Sequence, residues 1–415
     1  SVCEILKVQR AKAVEILFRR EEKIQKHFLN IEENQAVCCP NQEHAAWFWL
    51  PPTVVDKPPK TGHNVRYKGI TVAKSPGDVR RENYGKKIRR HFSKIGFAYL
   101  AGSIVIYAVQ FLASMVGKKF VPGVMADANG SFIVLMLTMY GISMPFMGWL
   151  VSRIPAQKIE ERKMTAGQWI IAFLMCYGLM YAGNLIGTAL TFGIGMVKGT
   201  GVDNPLVSTV MQLNPRVTFI IAVLIAPTAE ELLFRKLLTE RIVKYGELAA
   251  VLASGLFFGL FHGNLNQFSY AFLLGLFLGF IYVKTGKLRY TIGLHMAINF
   301  IGSSLGTWML RVTGYMDTME TLTEFLNTKN LAVLADLGNG IVGMFIFGSY
   351  ASLILMMAGA GLILTWLNRK KFVCCAPEEK VASLGKKKAA VMIGNPGILL
   401  YGAFWIGIMI WQLLQ

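Results

Sequence analysis

Residues 340–367 read GIVGMFIFGSYASLILMMAGAGLILTWL, twenty-eight positions without one Asp, Glu, Lys, Arg or His. A bilayer core of about 30 Å is crossed by roughly 17 to 25 apolar residues of helix. The stretch therefore reads as a membrane span, and runs of the same kind recur on its N-terminal side. The candidate spans are Ile95 to Gly117, Ser131 to Val151, Ala166 to Met196, Val217 to Leu233, Leu248 to His262, Phe268 to Val283, Tyr290 to Leu310, Gly340 to Leu367 and Val391 to Gln415. The fold expected is all-α, a polytopic helical membrane protein with about eight or nine transmembrane helices.

Composition agrees with that reading. Of 415 residues, 53% are hydrophobic and 16% charged, where a soluble chain carries about a quarter charged. The net charge of +19 reads as basic loops facing anionic headgroups, not as a nucleic-acid surface. The loops between the nine spans hold 2, 4, 2, 4, 0, 3, 2 and 7 Lys or Arg in order. This alternation predicts a cytoplasmic N-terminus and an external C-terminus.

Residues 1–94, with 19 of the 43 Lys and Arg, read as a basic cytoplasmic extension. It carries an amphipathic helix from Cys3 to Glu33 and an aromatic cluster at Trp47, Phe48 and Trp49. Residues 95–415 form the transmembrane domain. No signal peptide is recognisable at the start. The six cysteines (Cys3, Cys38, Cys39, Cys176, Cys374 and Cys375) fit neither a zinc ribbon nor a secreted disulfide framework.

Ionisable groups inside a bilayer cost several kcal/mol unless paired or wetted, so each is a candidate for function. Only His262 and His295, of six histidines, lie in spans. The strongest carboxylates are Glu230 and Glu231, in Ala226-Pro227-Thr228-Ala229-Glu230-Glu231-Leu232-Leu233-Phe234-Arg235. On a helix Glu231 and Arg235 share a face and can pair, while Glu230 is rotated by about 100° and points elsewhere. Phe258 and His262 share a face, as do His295 and Asn299. Taken singly, the Glu-Glu-Arg set reads more readily as a brace between helices, His262 as a satisfied core group, and His295 with Asn299 as a polar interhelical contact. Gly275 with Gly279, and Gly302 with Gly306, form small-residue patterns read as ordinary helix packing.

A break at Tyr245-Gly246 makes spans four and five an antiparallel hairpin. Glu230 and His262 then lie about 22 to 24 Å from the turn, at one level. A hairpin projecting into the cytoplasm, with a polar tip of Lys236, Glu240, Arg241, Lys244 and Glu247, brings His295 to the same depth. Helix five ends inside the protein, where Asn264, Asn266 and Gln267 are expected to line a polar pocket.

These motifs in this order, Glu-Glu-x-x-x-Arg at 230, 231 and 235, Phe-x-x-x-His at 258 and 262, and His-x-x-x-Asn at 295 and 299, resemble the CAAX-processing and bacteriocin-processing (CPBP, or Abi) membrane proteases. The likeness covers residues 215–300 and looks bacterial, with Ile298 where the Ras and a-factor converting enzymes usually place a cysteine. Lys236 departs from the glycine common in bacterial members.

The resemblance implies an intramembrane endopeptidase that attacks with water rather than through a covalent intermediate. Glu230 would be the base, assisted by His262. His295 and Asn299 would donate to the oxyanion, and Glu231 and Arg235 would orient the site. No cofactor is expected. Zinc on Glu230, His262 and His295 is the alternative, although the chain lacks the His-Glu-x-x-His helix of many zinc proteases. Partners are membrane lipid and a peptide or membrane-anchored protein substrate, and the location is an integral membrane one, expected to be a bacterial cell membrane. Two other readings use the same residues: a catalytically idle scaffold in immunity or regulation, and a transporter or proton relay.

Overall fold

The computed structural model describes residues 76–199, 205–330, 337, 340–385 and 387–414. The amphipathic helix and aromatic cluster expected before residue 76 lie outside the described residues. Every regular element among the described residues is helical. The principal ones are α1 (Pro76–Phe120), α2 (Ala128–Ser152), α3 (Ala166–Lys198), α4 (Pro215–Tyr245), α5 (Glu247–Phe261), α6 (Leu265–Thr285), α7 (Leu288–Asn299), α8 (Tyr315–Thr328), α9 (Gly340–Leu367) and α10 (Pro396–Leu414).

Seven of these are long and apolar enough to cross a membrane: α1 from Arg80, α2, α3, α4, α6, α9 and α10. The other two expected spans are also helical. One is the short apolar α5; the other is α7, which continues through Phe300–Leu305 into a last segment, Gly306–Val312. Large apolar side chains such as Phe345, Met356, Ile363 and Leu414 stand exposed on the outer helices, as a lipid-facing surface requires.

No helix break marks the expected boundary at Lys94. It falls within α1, and Ile88 and Phe92 before it are as buried as Ile95 and Tyr99 after it. Residues 76–94 therefore pack with the transmembrane helices.

The hairpin of α4 and α5 is present. Gly246 takes φ +119°, which a side chain would strain. Phe234 and Phe258 meet at 5.4 Å between ring centroids, each twelve residues from Gly246. That register carries Glu230 and His262, each sixteen residues from Gly246, to a common level. The tip is not free, however. Arg241 is buried; its Nε donates to the Val151 carbonyl and its Nη1 to that of Leu237. Tyr245 packs against His91 and Phe92 of α1. Tyr282 donates to Glu240, and Lys284 pairs with Glu247. Glu240, Arg241 and Glu247 of the polar tip are thus engaged by α1, α2 and α6, while Lys236 stays exposed.

Close packing of α5 on α6 explains one glycine pattern and not the other. A Cβ on Gly275 would lie 2.9 Å from Gly255 Cα, and one on Gly279 would lie 2.9 Å from the Ser254 side chain. Around Gly302, nothing lies within 4 Å of such a Cβ. A Cβ on Gly306 would meet the Tyr350 hydroxyl of α9 at 3.6 Å, so the second pair makes a helix contact at Gly306 and none at Gly302.

Four turns widen to π geometry: Met139–Ser143 in α2, Phe219–Ile225 and Leu232–Leu237 in α4, and Phe300–Leu305 after α7. The first two precede Pro145 and Pro227. Proline in a helix removes an N–H and crowds the carbonyl four residues back, and a widened turn relieves that clash. All four adjoin the residues singled out from the sequence.

Candidate active site

Glu230 and Glu231 are neighbours in α4 with different surroundings. Glu231 is fully buried. Its Oε2 lies 2.9 Å from Arg235 Nε, and its Oε1 takes a hydrogen bond from His295 Nδ1 at 2.9 Å. The Thr291 hydroxyl, one turn before His295, donates to the Leu288 carbonyl at 3.1 Å. The pairing with Arg235 is one of charge rather than direction. The guanidinium nitrogens make no hydrogen bond of good geometry, and the central carbon of the group sits over the Phe258 ring, 4.4 Å from its centroid. Glu230 keeps slight exposure. The Tyr140 hydroxyl reaches its Oε1 at 3.4 Å, and His295 Nε2 stands 3.9 Å from its Oε2, beyond direct hydrogen bonding.

Phe258 is the centre of the arrangement. Beside Arg235, it meets the rings of His262 and His295 edge-on, at 4.9 and 5.5 Å. The expected pair of Phe258 and His262 thus forms, and the same ring touches both imidazoles. His262 Nδ1 lies 2.8 Å from the Phe258 carbonyl. A carbonyl only accepts, so Nδ1 carries the proton and Nε2 presents a lone pair. Tyr270 of α6 packs beside His262, with ring centroids 6.2 Å apart.

Asn299 has a structural partner. Its Nδ2 donates to the Ala222 carbonyl at 2.8 Å. In the widened turn the Ala226 N–H bonds to Ile221, five residues back. The next such bond would run from residue 227 to Ala222, but residue 227 is proline and has no N–H. Asn299 fills the vacancy. One of its two amide N–H groups remains available to a ligand.

The polar pocket expected after α5 is largely self-satisfied. Gly263 reverses the chain at φ +67°, Asn264 caps α6 by accepting from the Gln267 N–H, and Asn266 accepts from Thr191 of α3. Among the described residues no three His, Cys, Asp or Glu side chains are grouped to hold a metal ion. Cys176 is buried within electrostatic range of Glu231 and Arg235, and no hydrogen bond joins it to either histidine.

Glu230, Glu231, Arg235, His262 and His295 are linked by these contacts and through Phe258, with Tyr140, Tyr270 and Thr291 beside them, while Asn299 bonds to Ala222 of α4. Thr291 was legible as the residue four before His295. A lone tyrosine in an apolar span gives no periodic signal, so Tyr140 and Tyr270 were not.

Residues 212–301 match the family described as type II CAAX prenyl endopeptidase Rce1-like. The likeness is confined to this core, less than a quarter of the chain. The match contains every motif residue from Glu230 to Asn299, together with Ala222 and Pro227, and agrees with the CPBP resemblance. Tyr140 and Cys176 lie outside the Rce1-like stretch and come from α2 and α3. No curated protein and no solved structure matches the chain.

Proposed function

We propose that the protein is an intramembrane endopeptidase that hydrolyses a peptide bond in a membrane-associated protein or peptide, with water activated by Glu230 and His262. The observation that carries this reading is the division of labour between adjacent carboxylates. Arg235 and His295 hold Glu231 in place, while Glu230 has only long contacts, to Tyr140 at 3.4 Å and His295 at 3.9 Å. A carboxylate without a tight partner can take and return a proton.

The chemistry follows from the assigned atoms. A water between Glu230 and His262 gives one proton to Glu230, and its other proton is held by the lone pair on His262 Nε2. The oxygen attacks the scissile carbonyl carbon, and the carbonyl oxygen becomes an oxyanion. Glu230 then returns its proton to the nitrogen as the carbon–nitrogen bond breaks. Asn299 offers its second N–H to the oxyanion. His295 commits Nδ1–H to Glu231, which fixes the orientation of its ring beside Glu230. Soluble proteases place roughly 3 to 4 kcal/mol on one oxyanion donor.

We favour the metal-free route because the chain lacks a His-Glu-x-x-His helix and, among the described residues, no three His, Cys, Asp or Glu side chains are grouped to hold an ion. We also place the site in the membrane half that carries the basic α4–α5 and α6–α7 loops, the cytoplasmic half by charge distribution. The family name suggests a prenylated C-terminal peptide as the substrate class.

The test is cleavage by the purified full chain in proteoliposomes, with a lipidated CAAX peptide and an unlipidated control. Glu230→Gln should lower turnover by at least a hundredfold without changing the melting temperature. Exhaustive chelation should leave parent activity intact. Cleavage that survives Glu230→Gln would reject the assignment of the base, and a stoichiometric zinc ion in the active protein would reject the metal-free route.

A further inference from the structure

Far from Glu230, α1 carries a second feature. Lys86, Arg89, Arg90, Ser93, Lys94 and Phe97 recur at intervals of three and four residues, so they form one stripe on the helix. They line a cleft of about 460 Å³ closed on its other side by Pro396, the first residue of α10. That volume falls in the range of roughly 300 to 1,000 Å³ typical of small-ligand sites.

The four cations are exposed. Lys86 makes a surface pair with Glu82, and no carboxylate pairs with Arg89, Arg90 or Lys94 among the described residues. Ser93 Oγ accepts the Gly397 N–H at 3.2 Å, which leaves its own proton to donate. The cleft is rigid where the helices meet, since a Cβ on Gly96 or Gly397 would strike the opposing backbone. The start of α10 contributes no N–H to the cleft. Ser93 takes that of Gly397, and Asn395 takes those of Ile398 and Leu399. Recognition therefore falls to the side chains.

Below Phe97 the stripe turns apolar. Ile104 and Phe111 follow at seven-residue steps, and all three are exposed, so they lie on nearly the same face. A cationic head and an apolar track on one helix face match a molecule with an anionic phosphate at one end and hydrocarbon at the other.

We propose that this cleft is a binding site for the phosphate headgroup of an anionic phospholipid, its acyl chain lying along Phe97, Ile104 and Phe111. A free phosphate shares the headgroup chemistry but has nothing to place on the apolar track.

Native mass spectrometry of the full chain in detergent, with phosphatidylglycerol, phosphatidylcholine and inorganic phosphate as probes, tests the site. Phosphatidylglycerol is expected to be retained over phosphatidylcholine. The triple variant Arg89→Gln, Arg90→Gln, Lys94→Gln should reduce that preference at least tenfold. The pair Lys118→Gln, Lys119→Gln, at the other end of the same helix, should leave it unchanged. If the triple variant does not fold, Lys94→Glu alone should reduce the preference about threefold. Retention unaffected by the cleft variants, or lost equally on removing Lys118 and Lys119, overturns the proposal in favour of diffuse attraction. Displacement of the lipid by equimolar inorganic phosphate overturns it in favour of a free-anion site.

Discussion

Asn299→Ala separates the structural and chemical parts of the site. The substitution removes the only donor that Pro227 and the widened turn leave for the Ala222 carbonyl. An unsatisfied buried acceptor costs about 1 to 3 kcal/mol. Asn299 is half-buried, so the expected loss is about 1 to 2 kcal/mol. The same argument names its own suppressor. Pro227→Ala restores an N–H that can reach Ala222 if the turn stays wide; if it tightens to an α-turn, the Ala226 N–H reaches it instead. In the Pro227→Ala background, Asn299→Ala should therefore be nearly neutral, and a double-mutant cycle should show a coupling of about 1 kcal/mol. Reversible unfolding of the four proteins in mixed micelles measures it. A coupling near zero would refute the account of Asn299 as the partner of an orphaned carbonyl. Cleavage assays on the same proteins give a second answer. If Asn299 also serves the oxyanion, the double variant regains stability and remains about a hundredfold or more slower than the parent.

Three further outcomes are expected. Arg235→Met should destabilise the protein by about 3 to 5 kcal/mol, because it strands a buried Glu231 carboxylate; adding Glu231→Leu should recover much of the loss in an unfolding assay without recovering cleavage. Tyr140→Phe should lower kcat severalfold with little change in KM or melting temperature, since the hydroxyl touches Glu230 and the ring is retained; an unchanged kcat would remove Tyr140 from the site. Gly275→Ala places a methyl 2.9 Å from Gly255 Cα and 3.0 Å from the Phe258 ring, so it should separate α5 from α6, shift Phe258 and reduce both melting temperature and turnover. Parent-like activity would show that the contacts of Phe258 with the imidazoles do not matter to turnover.

The pairing of Glu231 with Arg235 was legible because four residues along a helix is a fixed geometric relation, and a widened turn between them did not abolish it. The common depth of Glu230 and His262 was legible because rise per residue is constant and Gly246 marks the turn. The hairpin tip was read too simply: the sequence shows its charges, but whether Arg241 meets water or the Val151 carbonyl depends on where α2 ends. Gly302 and Gly306 show the same limit, since small residues permit a close approach that a neighbouring helix must be present to use, and α9 is present beside Gly306 but not beside Gly302.

By itself, then, the chain determined a helical membrane protein with a Glu-Glu, His, His-Asn core, because apolar length and helical spacing are local properties. Only the tertiary structure decided that His295 binds Glu231, that Tyr140 reaches Glu230 and that Asn299 serves Ala222. Those contacts join residues 64 to 90 positions apart. Their partners are chosen by orphaned carbonyls and buried charges that appear once helices pack and turns widen.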